Sequence, residues 1–370
     1  MRKGWEYKKL GEVCDVYQPK TLSTDMLSKD GEYPVYGANG IIGYYHQYNH
    51  EDKEVLLTCR GATCGNINVS KPYSWINGNA MVIHRKSEFI DFDFLKYMML
   101  SLDYSLIITG AAQPQITRQK LAPIKIAIPP KSIQLAIVSE LDKINELIRL
   151  KKEQLKDFDN LAQSLFYEMF GDPVENEKGW EVKKLGEIGE FKNGLNFSKD
   201  ENGHSIKFLG VSDFQNKKSI ASDQLAYISL SERVQEDYLL KTGDIVFVRS
   251  NGKKELIGRS VKMYITEPTT YSGFCIRCRI TDEKVDKDYI AILLKTPIIR
   301  QFMTNSGRGC NISNLNQKVL NSIPTILPPL SLQRLFAQRI EQIEREKSEV
   351  QKSIQDLETL LASRMQYWFE

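Results

Sequence analysis

Gly4-Trp5-Glu6-Tyr7-Lys8-Lys9-Leu10-Gly11-Glu12-Val13 returns as Gly179-Trp180-Glu181-Val182-Lys183-Lys184-Leu185-Gly186-Glu187-Ile188, differing only at Tyr7/Val182 and Val13/Ile188. A second echo follows in each half. Ile128-Pro129-Pro130-Lys131-Ser132-Ile133-Gln134 reappears as Leu327-Pro328-Pro329-Leu330-Ser331-Leu332-Gln333, and each copy opens a segment with helical periodicity. The order is globule, helix, globule, helix. Such a duplication predicts two similar modules, an arrangement suited to paired sites on something extended or symmetric.

The helical segments carry the pattern furthest. Ile137, Leu141, Ile144, Ile148, Lys151, Leu155, Phe158, Ala162, Leu165 and Met169 alternate spacings of four and three, which is a heptad seam. The same register recurs 199 positions later as Phe336, Ile340, Ile343, Lys347, Val350, Ile354, Leu357, Leu361, Arg364 and Trp368. Each segment runs about 38 residues, roughly 57 Å of helix, and needs a partner to bury its seam. With a globule between them, the two are expected to pair as an antiparallel coiled coil. Lys151 and Lys347 interrupt the seam at different heptads, either fixing register or snorkelling to solvent. The Pro-Pro pairs bar backward extension, Ser132 and Ser331 are the expected N-caps, and Gly171-Asp172-Pro173 stops the first helix.

These boundaries predict a first module over 1–131, a central helix over 132–171, a second module over 172–330 and a final helix over 331–370. Within the modules, Glu54–Thr58, Ala80–Ile83, Asp244–Val248 and Phe274–Ile280 read as strands, with short helices over Phe92–Leu102 and Lys287–Met303. The fold class is therefore α+β, with two similar globules separated by two long helices.

Composition narrows the function classes. With 370 residues the chain is too long for one core and suits two domains. No apolar run approaches the roughly 20 residues that cross a bilayer, and the repeat begins too early for a signal-peptide core, so a cytoplasmic chain without membrane contact is expected. Cysteines 14, 59, 64, 275, 278 and 310 show no disulfide framework, and Cys275-Ile276-Arg277-Cys278 lacks the second ligand pair of a zinc site. The net charge of +3 is nearly neutral, whereas a chain gripping many phosphates unaided carries a basic excess. If it binds nucleic acid, a partner supplies much of the grip.

The loops nevertheless hold residues suited to bases and phosphates. In the first half these are Lys20, Asn39, Arg60, Thr63, Asn66, Gln113, Gln115 and Arg118. In the second half they are Lys192, Asn193, Arg249, Asn251, Lys253, Lys254, Arg308, Asn311 and Asn314. Arg and Lys bond guanine edges, Asn and Gln bond adenine edges, and neighbouring glycines let backbone amides approach phosphate. Ordinary turns use the same residues. Catalytic motifs are missing: there is no Asp/Asn-Pro-Pro-Phe/Tyr, P-loop or nucleophile elbow, and His46, His50, His84 and His204 lack metal-ligand spacing.

The paired Gly-Trp-Glu-x-Lys-Lys-Leu-Gly-Glu starts, the paired Pro-Pro-x-Ser-x-Gln helix starts and the stretch Tyr33-Pro34-Val35-Tyr36-Gly37-Ala38-Asn39-Gly40-Ile41-Ile42-Gly43-Tyr44 together resemble the DNA-specificity subunit of type I restriction-modification systems. The resemblance implies a non-catalytic subunit whose two recognition domains each read half of a bipartite double-stranded DNA target. It implies that the helices set the spacer and dock two methylation subunits that methylate adenine, with restriction subunits joining to cleave. It places S-adenosylmethionine, ATP and magnesium on those partners and no cofactor on this chain. Two other readings stay open at this stage, an enzyme with an unfamiliar site of its own and a coiled-coil adaptor that binds only proteins.

Overall fold

The computed structural model describes residues 2–110, 113–196, 199–214, 219–250, 256–305 and 315–370. The chain forms two compact units, Met1–Glu153 with Val350–Glu370 and Gln154–Glu349. Each unit takes the first part of one long helix and the last part of the other. These helices span Lys131–Phe170 and Leu330–Phe369.

The duplicated decapeptide has a mechanical explanation. In the first unit Glu6–Lys9 pairs antiparallel with Lys125–Ile128, and in the second Glu181–Lys184 pairs with Pro324–Leu327. The opening echo of each module thus hydrogen-bonds to the residues just before its Pro-Pro pair, closing the module into a loop. Leu10 and Leu185 then anchor a single helical turn in the core. The Glu of the repeat folds back, Glu12 Oε2 accepting from Lys9 N at 3.0 Å and Glu187 Oε2 from Lys184 N at 2.5 Å. The repeated glycine permits close approach: a Cβ on Gly11 would sit 3.1 Å from the Ala122 Cβ.

The main sheets share one plan. In the first unit the strand order is Cys14–Tyr17, Ala80–Arg85, Val55–Thr58, Ile67–Val69. In the second it is Gly189–Asn193, Cys275–Ile280, Ile245–Val248, Ser260–Tyr264, with Ser219–Ala221 added in parallel at the edge. The inner strands Val55–Thr58 and Ile245–Val248 are wholly buried, so both faces of the sheet are covered there. A separate three-stranded sheet follows in each unit, Gly40–Tyr45, Tyr33–Gly37, Trp75–Ile76 in the first and Tyr227–Leu230, Lys199–Leu209, Thr269–Tyr271 in the second.

The strand expectations match these central elements. The expected helix over Phe92–Leu102 is found as Phe92–Ser101, but that over Lys287–Met303 is broken into Lys287–Leu293 and Pro297–Asn305. Pro297 cannot continue a helix from upstream and instead opens the next one.

The helix starts also differ from expectation. Both long helices begin directly after the Pro-Pro pair, so Ser132 and Ser331 lie inside the first turn and do not cap it. The Pro130 carbonyl accepts from Ile133 N and Gln134 N, and the Pro329 carbonyl accepts from Leu332 N and Gln333 N. The echoed glutamine holds the join. Buried Gln134 accepts from Asp91 N at 2.7 Å and donates to the Phe89 and Pro129 carbonyls. Gln333 repeats this with Asp286 N at 2.8 Å and the Lys284 and Pro328 carbonyls. Asp91 and Asp286 in turn cap the short helices that follow them. At the other end the expected stop holds: the first long helix ends at Phe170, with Gly171 in the left-handed region at φ +75°.

The helices run antiparallel within each unit. In the first, Arg364 bonds the Glu140 carboxylate through both Nε and Nη2, and Lys152 reaches Glu358 at 2.7 Å. In the second, Lys347 meets Asp159 at 2.5 Å while Phe166 packs on Phe336. Of the expected pairing residues, Ile137, Leu141, Ile144, Ile148, Leu165, Phe336, Ile340, Ile343, Val350 and Ile354 are buried. Leu155, Phe158, Leu357 and Leu361 are half-buried. Lys347 therefore reaches a carboxylate on the opposing helix segment rather than only solvent.

Candidate nucleic-acid interface

Strand geometry gathers loops at one end of each main sheet. In the first unit these are the segment after Tyr17, the turn after Thr58 and the segment before Ala80; in the second they follow Asn193 and Val248 and precede Cys275. The closure ladder joins the opposite end of the sheet, where Lys86 N donates to the Val13 carbonyl and Thr281 N to the Ile188 carbonyl.

Around the first loop end, Thr58 Oγ1 donates to the Ala38 carbonyl, and Asn68 Nδ2 donates to that carbonyl at 3.3 Å, holding the Ala38-Asn39 turn against the sheet. Gly61 N donates to the Pro114 carbonyl, and Arg60 and Gln115 form a backbone bridge. Asn39, Thr63 and Asn66 share a cleft of about 630 Å³ with Gly65, Ile67, Asn68, Leu100, Leu102 and Tyr104. The structure therefore assembles Asn39, Arg60, Thr63, Asn66, Gln113 and Gln115 on neighbouring turns. Lys20 lies on the exposed segment that passes Gly78. Arg118 is set apart on the helix Arg118–Leu121, whose end packs under Gly11 through Gly11 N to the Ala122 carbonyl.

The second unit places Asn193 and Arg249 beside one strand start. Gly194 N donates to the Cys275 carbonyl, and Arg249 N donates to the Phe274 carbonyl at 2.8 Å. Lys192 turns to Asp237 at 3.0 Å and lies 4.1 Å above the Tyr238 ring. Asp237 is held below the usual carboxylate range chiefly by that lysine hydrogen bond. Asn251, Lys253, Lys254, Arg308, Asn311 and Asn314 lie outside the described residues. Leu315 N donates to the Arg249 carbonyl as Ile116 N donates to the Cys59 carbonyl.

Reading for hydrogen-bonding side chains passed over the aromatics here. Phe274, between the Asn193 and Arg249 turns, is 60% exposed. On the three-stranded sheet of the first unit, the Tyr48 ring packs edge-on against Tyr33 and Tyr73, and the adjacent hairpin exposes Ile41, Ile42 and Tyr44. The density of tyrosine between residues 33 and 48 was the available signal.

Two histidines of the first unit have close side-chain partners. His84 Nδ1 lies 2.7 Å from Glu54, whose carboxyl is raised by burial against the opposing histidine hydrogen bond. His50 Nε2 meets the Tyr17 hydroxyl at 2.9 Å, and burial lowers its pKa, with His84 adding to the effect. The hydroxyl facing His50 is that of Tyr17, and burial raises its pKa. The Cys275 and Cys278 thiols are buried on opposite faces of one strand, and burial pushes both up to about 12. Thiols on opposite faces cannot chelate one ion. Among the described residues no group of three or more His, Cys, Asp or Glu could hold a metal, and no helix is long and apolar enough to cross a membrane.

A family model described as a type I restriction modification DNA specificity domain matches residues 2–157 and again residues 177–359. The type I restriction enzyme MjaVIII specificity subunit of Methanocaldococcus jannaschii is 23% identical over 394 aligned residues, covering 96% of this chain and 92% of its own. The S subunit of a type I restriction-modification system from M. genitalium matches in structure with TM-score 0.58 and 16% identity, covering 99% of this chain and 96% of that one. A chain from a type I system studied for complex assembly and conformational transition matches with TM-score 0.66 and 18% identity, covering 99% and 97%.

Proposed function

This chain belongs to the type I restriction-modification DNA specificity family, and from that premise we propose that each of its modules reads one half of a bipartite double-stranded DNA target. The recognition modules are residues 1–131 and 172–330. The helices 132–171 and 331–370 set the spacer between the half-sites and dock two methylation subunits. Those partners bring S-adenosylmethionine and methylate adenine, and restriction subunits using ATP and magnesium cleave unmodified DNA. The chain itself contributes recognition and no chemistry.

The observation that supports this reading is the common placement of the candidate side chains. Hydrogen-bonding and cationic residues from distant segments collect at the same end of topologically matching sheets in both units, Asn39, Arg60, Thr63 and Asn66 in one, Asn193 and Arg249 in the other. Turns at a sheet end project side chains beyond the strands, where base edges in a groove can be met. Modest net charge accords with an assembly in which partners carry much of the phosphate contact.

The test is to co-express the chain with its methylation subunit in a methylation-free host and map modified adenines by single-molecule sequencing. A split, asymmetric motif is expected. Replacing Asn39, Thr63 and Asn66 together by alanine should relax one half-site and leave the other intact, each lost bidentate contact costing about 1–3 kcal/mol of discrimination. Relaxation of both halves, or of neither, overturns the one-module, one-half-site assignment. Unguided modification by the chain alone would favour an enzyme, and a soluble complex without methylation would favour an adaptor.

A further inference from the structure

The second unit contains a cleft of about 650 Å³ between the helix Lys287–Leu293, the edge of the five-stranded sheet and the long-helix segments. Its floor includes Ala162, Ala291, Ile292, Ala337 and Ile340, and Glu341 and Glu344 stand on its wall. The first unit shows what the same place looks like when filled. The two short helices align by their Asp91 and Asp286 caps, by fully buried Phe94 and Tyr289, and by the Gln134 and Gln333 clamps. In that alignment Tyr97 corresponds to Ile292, and Asp142 and Asn145 correspond to Glu341 and Glu344.

Tyr97 is buried, donates its hydroxyl to Asp142 Oδ1 at 2.6 Å and accepts from Asn145 Nδ2 at 3.0 Å. Val138 and Leu361, the counterparts of Ala337 and Ala162, pack against the same core. Ala337 and Ala162 are smaller than Val138 and Leu361, Ile292 lacks the hydroxyl of Tyr97, and the longer Glu341 stands where Asp142 accepts. We propose that this cleft is a docking slot for one phenolic side chain, a tyrosine presented by a protein partner, inserted where the first unit supplies its own Tyr97. The apolar floor takes the ring, and Glu341 on the wall accepts the hydroxyl. This goes beyond DNA reading but rests on the proposal that the long helices carry protein partners.

The experiment uses the full chain and p-cresol, the side chain of tyrosine, as probe, with toluene as the control without a hydroxyl. Ligand-observed and isotope-labelled NMR should show p-cresol perturbing the Ile292 and Ala337 methyls of the wild type, with toluene weaker. Ile292→Tyr, which restores the first unit's own arrangement, should weaken p-cresol binding at least about tenfold. Ala337→Val, the milder filling, keeps the test available if the tyrosine variant does not fold and should also weaken it. Absence of p-cresol binding, or equal binding to wild type and a folded filled variant, overturns the slot. Concentration-dependent self-association lost on filling the cleft would instead identify a second copy as occupant and overturn the partner assignment. Co-purification of the wild type with the methylation subunit separately tests the reading on which the slot rests. If the two co-purify while p-cresol fails to bind, the slot alone is wrong.

Discussion

In the first unit Phe369 ends a long helix against Phe94, and in the second its counterpart Phe170 packs edge-on against Phe166, Tyr289 and Phe336. The same helical position therefore serves as a half-exposed contact in one unit and as the centre of a four-ring cluster in the other. By contrast, the closure ladders and glutamine clamps agree bond for bond. The backbone ladder and its clamp fix where a module begins and ends, which tolerates little variation. Side-chain volume can be redistributed so long as the interior stays filled.

The most severe break of this comparison is Phe170→Ala. Removing a fully buried ring should cost the second unit about 3–5 kcal/mol, whereas Phe369→Ala should cost the first unit roughly 1–2, because the ring is only partly withdrawn from water. Hydrogen exchange resolved by unit measures both, since a chain of two units need not unfold in one step. Comparable losses at the two positions would contradict the claimed difference in packing.

Next in size are Gln134→Ala and Gln333→Ala. Each leaves a backbone N–H and two carbonyls without their side-chain partner, for a cost of roughly 2–3 kcal/mol confined to its own unit. The two values should agree within error. Unequal values would show that the clamps are equivalent in geometry and not in energy.

The smallest effect is set by pH. The Arg364 hydrogen bond, aided by Trp368 Nε1 at 3.0 Å, holds the Glu140 carboxyl below its ordinary value. A depressed carboxyl stabilises the fold above the unfolded glutamate value and loses that contribution as pH falls through the folded value. Exchange protection around Met365–Phe369 should therefore decline on acidification below the ordinary glutamate range. Arg364→Ala should start lower and respond less. Solvent exposure keeps the effect small, and an unchanged acid response in the variant would assign the decline to another carboxyl.

Much of the fold could be read from the sequence because it rests on local or periodic signals. The heptad seam located both helices, and Gly171 marked the end of the first, since a left-handed residue terminates a helix by its own conformation. The helix starts were harder. Ser132 and Ser331 satisfy the local rule for a cap, but the fold employs Gln134 and Gln333, whose partners at Phe89, Asp91, Lys284 and Asp286 lie more than forty residues away. The break before Pro297 was a local signal that the apolar run obscured.

The candidate interface was legible as residue types and not as a place. Sequence alone determined that the modules are duplicated, that two long helices pair, and which loops hold residue types suited to bases, because identity and period are written along the chain. Tertiary structure alone brought Asn39 beside Asn66 and Asn193 beside Arg249, left the cleft at Ile292 open, and joined each module's first strand to its last. Those outcomes depend on strand pairing between distant segments and on how side-chain volumes meet across elements, neither of which any single window of sequence contains.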